Sequence, residues 1–174
     1  MKKYLFLDID GVLVNRRVLK ENEWFPDESH VFCEECVTHL NKIIEHTGCS
    51  VVISSSWRKN LTVEQLREIF KLRGFKFSEN IIDKTISIYA DNKYVLGKRW
   101  VNIPRGSEIQ QWLMSQVVDN GSGSFKILNV DYSYAILDDS QDMLYGQRNN
   151  FVNTNYEIGL TEENADQVIK ILNQ

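Results

Sequence analysis

YLFLDIDG, residues 4–11, is the stretch from which the rest of the chain can be read. Tyr4 to Leu7 is a short apolar run of strand character, and it stops abruptly in Asp8, Asp10 and Gly11. That is the pattern of a buried strand, Tyr4 to Asp8, ending at a site. An acid at a strand end is ordinarily a solvated turn residue. The reading therefore depends on whether other strands end the same way.

Two do. Working outward, Phe32, Cys36, Leu40, Ile43 and Ile44 fall at helical spacing over about 30–46, with Gly48 as a stop signal. Ser50 to Ser54 reads as a second buried strand, closing in Ser54, Ser55 and Ser56. A helix over Thr62 to about Arg73 has Thr62 as its cap, Gln65 three residues on as capping-box partner, and Gly74 after its end. A third helix begins near Gly106 and runs through Trp112. DNGSGS at 119–124 is a connecting loop by composition. Beyond it, Phe125 to Val130 and Tyr134 to Leu137 read as strands, the second closing in Asp138 and Asp139, and Phe151 to Thr154 is a weaker strand. Thr161 caps the last helix, with Asn164 standing where a full capping box has Glu or Gln. Strands alternating with helices imply a mainly parallel sheet covered on both faces.

Composition bounds the alternatives. A chain of 174 residues, a quarter of them charged, has the size of one compact domain with a single core, so residues 1–174 are expected to form one unit. A formal net charge of −4, with no run of like charge at either end, excludes a nonspecific nucleic-acid binder held by bulk charge. The lysines before the first apolar run resemble a signal peptide only briefly, because Asp8 and Asp10 interrupt it. No stretch approaches a membrane span. Three cysteines do not form a disulfide framework, and a cytoplasmic location is the default expectation.

In an open α/β sheet the carboxyl ends of parallel strands share one edge, where ligands bind. Carboxylates gathered there at neutral pH repel one another unless a cation or shared protons compensate, and a hard divalent ion with oxygen ligands is the natural solution. Mg²⁺ is the expected cofactor, since it keeps several waters and takes one or two carboxylates plus phosphate oxygens.

FLDIDGVLV resembles the first motif of the haloacid dehalogenase (HAD) superfamily, and that resemblance implies a HAD-like Rossmannoid three-layer α/β sandwich with a minimal cap. It implies Asp8 as nucleophile and Asp10 as general acid/base. VVISSSWR resembles the second motif, a serine closing the next strand: Ser54, with Ser55 one register step away. IPRGSEIQQWL resembles the third, with Arg105 as the fixed cation in preference to Lys98 or Arg99. AILDDSQDM resembles the fourth, an acidic pair for the metal: Asp139 with support from Asp138, or Asp138 with Asp142 if the spaced form of the motif applies. The implied metal set is thus drawn from Asp8, Asp10, Asp138, Asp139 and Asp142. More narrowly, SSSWR, RGSEI, LDDSQDM and GLTEE resemble the HAD-type domain of the so-called Swiss army knife RNA repair proteins.

The resemblance implies a Mg²⁺-dependent phosphatase acting through an aspartyl phosphate on a phosphorylated substrate, with nucleotides or nucleic-acid ends as the substrate class that the narrower likeness suggests. A small-metabolite phosphatase and a non-catalytic HAD-fold binding module are the alternatives. No protein partner is implied. Arg58 is close enough to the serines to reach a substrate phosphate, or is a surface arginine; Trp57 is read as structural. Asn15 to His30 is long enough only for a small flap, with Trp24 and Phe25 read as packing, and a second short insertion is expected around Ile88 to Asn102. Finally, His30, Cys33, Cys36 and His39 have metal-like spacing, but four ligands from one helix cannot easily surround a tetrahedral zinc, and Cys36 also fits the apolar face.

Overall fold

The computed structural model of the protein describes residues 1–21, 31–88, 103–116 and 131–174. Strands β1 (Lys2–Leu7), β2 (Ser50–Ile53), β3 (Ile81–Lys84), β4 (Tyr132–Asp138) and β5 (Phe151–Asn153) form one sheet in the order β3-β2-β1-β4-β5. Every pairing is parallel. The helices are α1 (Arg16–Glu21), α2 (Glu34–Thr47), α3 (Val63–Leu72), α4 (Arg105–Ser115) and α5 (Glu162–Leu172).

Period-two alternation along the central strands feeds two separate cores. Leu5, Leu7, Val51, Ile53, Ala135 and Leu137 pack with apolar residues of α2, α3 and α5 on one face. Tyr4, Phe6, Val52 and Ile136 pack with Ile109, Trp112 and Leu113 of α4 on the other. Both faces are covered, which gives the three-layer α/β sandwich. Trp112 anchors the second layer, edge-on to Tyr4 and Phe6 at ring separations of 5.0 and 5.4 Å, while its indole N–H donates to Asp83 at 2.7 Å.

The chain runs from β1 outward to β2 and β3, then crosses to β4 on the other side of β1, so the order reverses between β1 and β4. Ligands of doubly wound sheets bind at such a reversal, outside the carboxyl ends of the strands. The register pairs Leu7 with both Ile53 and Leu137, which sets Asp8, Ser54 and Asp138 side by side. Backbone bonds extend the ladder there: Asp8 N–H donates to Leu137 O (3.0 Å) and Ser54 N–H to Leu7 O (2.9 Å).

Several elements differ from expectation. The first long helix starts at Glu34, and Phe32 lies ahead of it, buried between Trp57 and Phe70. Ile81–Lys84 is a strand that its own composition does not announce. Asn164 completes the capping box of α5 after all, its Oδ1 accepting from Thr161 N–H at 3.3 Å while Thr161 Oγ1 accepts from Asn164 N–H at 3.3 Å. In the segment expected to form a flap, Arg16–Glu21 is the short helix α1 and the remainder, with Trp24 and Phe25, lies outside the described residues, as do Lys98, Arg99, the 119–124 loop and the expected strand at 125–130. Among the described residues no helix is long and apolar enough to cross a membrane.

Candidate active site

Asp8, Asp138 and Asp139 each bring a carboxylate oxygen to within 4.8 Å of the other two. Asp8 and Asp138 are buried, at 4% and 0% exposure. Arg105, at the start of α4, reaches both: its Nη1 lies 2.8 Å from Asp8 Oδ1 and 3.1 Å from Asp138 Oδ2. These are charge contacts without aligned hydrogen bonds, so the buried oxygens Asp8 Oδ1 and Asp138 Oδ2 keep unsatisfied acceptor capacity.

One guanidinium does not balance three carboxylates. Burial, and then Asp8, push the Asp138 carboxyl up to about 7 and raise that of Asp139 above the usual carboxylate range. Burial works against the charged form of Arg105, but Asp8 and Asp138 outweigh it and hold the guanidinium above its ordinary pKa. Converging hard oxygen donors, two of them buried and under-satisfied, suit a divalent cation such as Mg²⁺.

The backbone is built to permit this convergence. Gly11 has φ +74°, and a Cβ there would fall on the Asp139 side chain. Thr154 Oγ1 donates to Gly11 O at 2.9 Å, tying the turn to the residue after β5. Gly106 lets the first turn of α4 pack against the loop after β4, where a Cβ would lie 2.9 Å from Met143 Cα. That close approach brings Arg105 to the aspartates.

Other expected site residues are placed differently. Asp142 lies outside the carboxylate cluster: it caps α4, accepting from Arg105 N–H and from Ser140 Oγ, each at 3.0 Å. Pro104 has no side-chain donor or acceptor with which to cap the helix, which explains why a distant acid does so. The Asp10 side chain also stands apart from the three clustered acids and accepts from the Trp57 indole N–H, 3.2 Å from Oδ2 and 3.4 Å from Oδ1. Burial and Asp8 raise its pKa, against the Trp57 bond.

The two serines separate cleanly. Ser54 is fully buried, and its hydroxyl has no hydrogen-bond partner among the described residues. Ser55 Oγ instead accepts from Trp57 N–H at 3.4 Å, capping a short 3₁₀ turn over Ser56–Lys59. Arg58 is no surface arginine. At 5% exposure it donates through Nη1 to the carbonyls of Ser54 (2.6 Å) and Ser55 (2.8 Å), and through Nη2 it meets Glu108 of α4 in a buried ion pair. Both terminal nitrogens make bonds within the protein, and the buried Nε has no partner among the described residues. Glu108 carries a second acceptor bond from Ile88 N–H at 2.9 Å. The Arg58–Glu108 pair and the Trp57–Asp10 bond are the site features that spacing along the chain does not reveal, since each joins residues far apart in sequence.

Of the zinc-like series, His30 lies outside the described residues, Cys33 and Cys36 are buried, and Cys36 Sγ lies 3.6 Å from Ile158 O. Burial, and then Cys33, push the Cys36 thiol up to about 12, the behaviour of a packed thiol.

A parallel sheet whose switch point gathers carboxylates from two neighbouring strand ends, under a fixed arginine, defines a Rossmann-like α/β protein with an acidic carboxyl-edge site. Residues 4–165 match the family model described as the HAD domain in Swiss Army Knife RNA repair proteins, and the chain belongs to that family. Domains of the HAD class are generally phosphohydrolases and typically use Mg²⁺. Neither a curated protein nor a solved structure matches the chain.

Proposed function

We propose that the protein is a Mg²⁺-dependent phosphomonoester hydrolase in which Asp8 is the covalent nucleophile. The observation that carries the reading is the convergence of Asp8, Asp138 and Asp139 at the switch point beneath Arg105. Asp8, Asp138 and Asp139 would hold Mg²⁺, with Asp10 and Asp142 contributing no side-chain oxygen to that cluster. The ion would supply charge neutralisation between nucleophile and phosphate.

The chain's own residues supply the rest. Asp8 attacks phosphorus in line and becomes an aspartyl phosphate. Asp10 protonates the departing oxygen, then takes a proton from the water that hydrolyses the acyl phosphate. Arg105 offsets charge on the transferring group, and the Ser54 hydroxyl donates to a phosphoryl oxygen. Ser55 and Arg58 hold the loop after β2 in place and leave the phosphate contact to Ser54. The whole chain, 1–174, acts as one domain, with a minimal flap at about 15–30.

Nucleotides or nucleic-acid ends are the substrate class, a reading supported by the RNA-repair description of the family. The test is phosphate release with Mg²⁺ from 3′- and 5′-phosphorylated oligonucleotides, nucleotides and sugar phosphates, using the wild type and Asp8→Asn. Asp8→Asn is nearly isosteric and should abolish turnover in a folded protein. Undiminished release by that variant would refute the nucleophile, release from sugar phosphates alone would refute the substrate class, and inactivity throughout would point to a binding module.

A further inference from the structure

Resting on the hydrolase reading, we infer that Trp57 is a positioning residue for Asp10: its indole N–H orients the carboxyl group that delivers the proton to the leaving oxygen. Sequence spacing assigns Trp57 only a packing role, and the packing is real. Its ring lies 5.9 Å from Phe32, which in turn meets Phe70 edge-on at 4.9 Å. Its N–H, however, is spent on Asp10, shared between the two carboxylate oxygens.

Asp10 has particular need of such an anchor. Arg105 holds Asp8 and Asp138, whereas the Asp10 carboxylate lies outside the cluster of acids and takes side-chain hydrogen bonds from Trp57. The Trp57 indole is itself fixed from two sides. Its backbone N–H is held by Ser55 Oγ, and the next residue, Arg58, bolts the turn to the Ser54 and Ser55 carbonyls and to Glu108 of α4. The loop after β2 therefore presents a rigid donor to the loop after β1.

An indole is suited to this task because it donates and cannot accept. When Asp10 is protonated, its carbonyl oxygen is the better acceptor for the Trp57 N–H, which favours leaving the O–H on the other oxygen, directed to the substrate. Trp57 can never remove that proton. Lysine would add a charge, and a hydroxyl could accept the proton's hydrogen bond and divert it.

The test is the leaving-group dependence of turnover by the full chain with Mg²⁺. Trp57→Phe is compared with wild type on 4-nitrophenyl phosphate, whose departing phenolate needs little protonation, and on a phosphorylated oligonucleotide, whose alkoxide needs it. The alkyl substrate should lose about ten- to a hundredfold in kcat, part of the roughly 10²–10⁴-fold that general acid help supplies. The aryl substrate should lose no more than about threefold, with KM little changed, giving a weaker copy of the Asp10→Asn profile. Equal losses on both substrates, or no loss on the alkyl one, would overturn the inference. Wild type that releases phosphate from neither substrate would instead overturn the hydrolase reading beneath it. Should Trp57→Phe fail to fold by thermal unfolding, benzothienylalanine placed at position 57 preserves the ring shape while exchanging N–H for sulfur, and the same split decides.

Discussion

Replacing Asp138 by asparagine should stabilise the metal-free protein at alkaline pH, although the change falls in the most buried part of the site. Burial and Asp8 hold the Asp138 carboxyl at about 7, against an ordinary value of 3.8. Across the window from about pH 4 to about pH 7 the folded protein keeps a proton that the unfolded chain has already lost, so stability falls as pH rises through it. A window of about three pH units corresponds to roughly 4 kcal/mol, fully incurred at about pH 8. Asparagine removes that penalty and can still accept the 2.9 Å bond from Ser140 N–H through Oδ1. The attraction between Oδ2 and Arg105 Nη1, 3.1 Å apart, already acts to lower the Asp138 carboxyl within that net value, so it is not subtracted a second time. The gain is therefore up to about 4 kcal/mol at pH 8, with about 2–4 °C in Tm per kcal/mol for a chain of this size. Near pH 5 the gain should shrink to about 1–2 kcal/mol. Thermal unfolding of both proteins in chelator, from pH 5 to pH 8, reads this directly. Adding Mg²⁺ should raise the Tm of the wild type and move that of the variant much less, because only binding to the folded state stabilises it. A variant less stable than wild type at pH 8, or a difference that does not vary with pH, would refute the reasoning.

Two further changes probe the frame of the site. Gly11→Ala combines a left-handed backbone with a methyl group aimed at Asp139; the conformational part alone costs about 1–2 kcal/mol, and calorimetric titration should show Mg²⁺ affinity falling sharply. Glu108→Gln leaves the buried Arg58 guanidinium without its counter-charge and should destabilise the protein by about 3–5 kcal/mol in urea unfolding, whereas Arg58→Met with Glu108→Leu should recover much of that loss.

What the sequence discloses follows from the range of the forces involved. The apolar runs of β1, β2 and β4 and the caps of α3 and α5 are local signals, and they place those elements to within a few residues. β3 is not local in this sense. IIDK offers two apolar residues followed by two charges, and it is a strand because β2 supplies a ladder for it. The acids Asp8, Asp138 and Asp139 are legible because each ends a recognisable strand, and the parallel architecture then forces the ends together. Asp142 shows the limit of spacing: it suits a metal motif, but α4 follows a proline that offers no side-chain cap, and the carboxylate accepts from the Arg105 N–H instead. Trp57 and Arg58 are adjacent in the chain yet point to different loops, a division that no periodicity encodes.

The register that pairs Leu7 with Ile53 and Leu137 has one more consequence. Positions 8, 54 and 138 are neighbours on a ruler whose pitch is the inter-strand spacing of about 4.8 Å, a constant of the peptide backbone and not of any side chain. The lateral intervals between the first, second and fourth motifs are therefore inherited from hydrogen bonding itself. Apolar exchanges within the strands leave those intervals untouched. Loss of a single residue from β1 would move Asp8 along its own strand by one residue, about 3.3 Å, and turn it to the opposite face of the sheet.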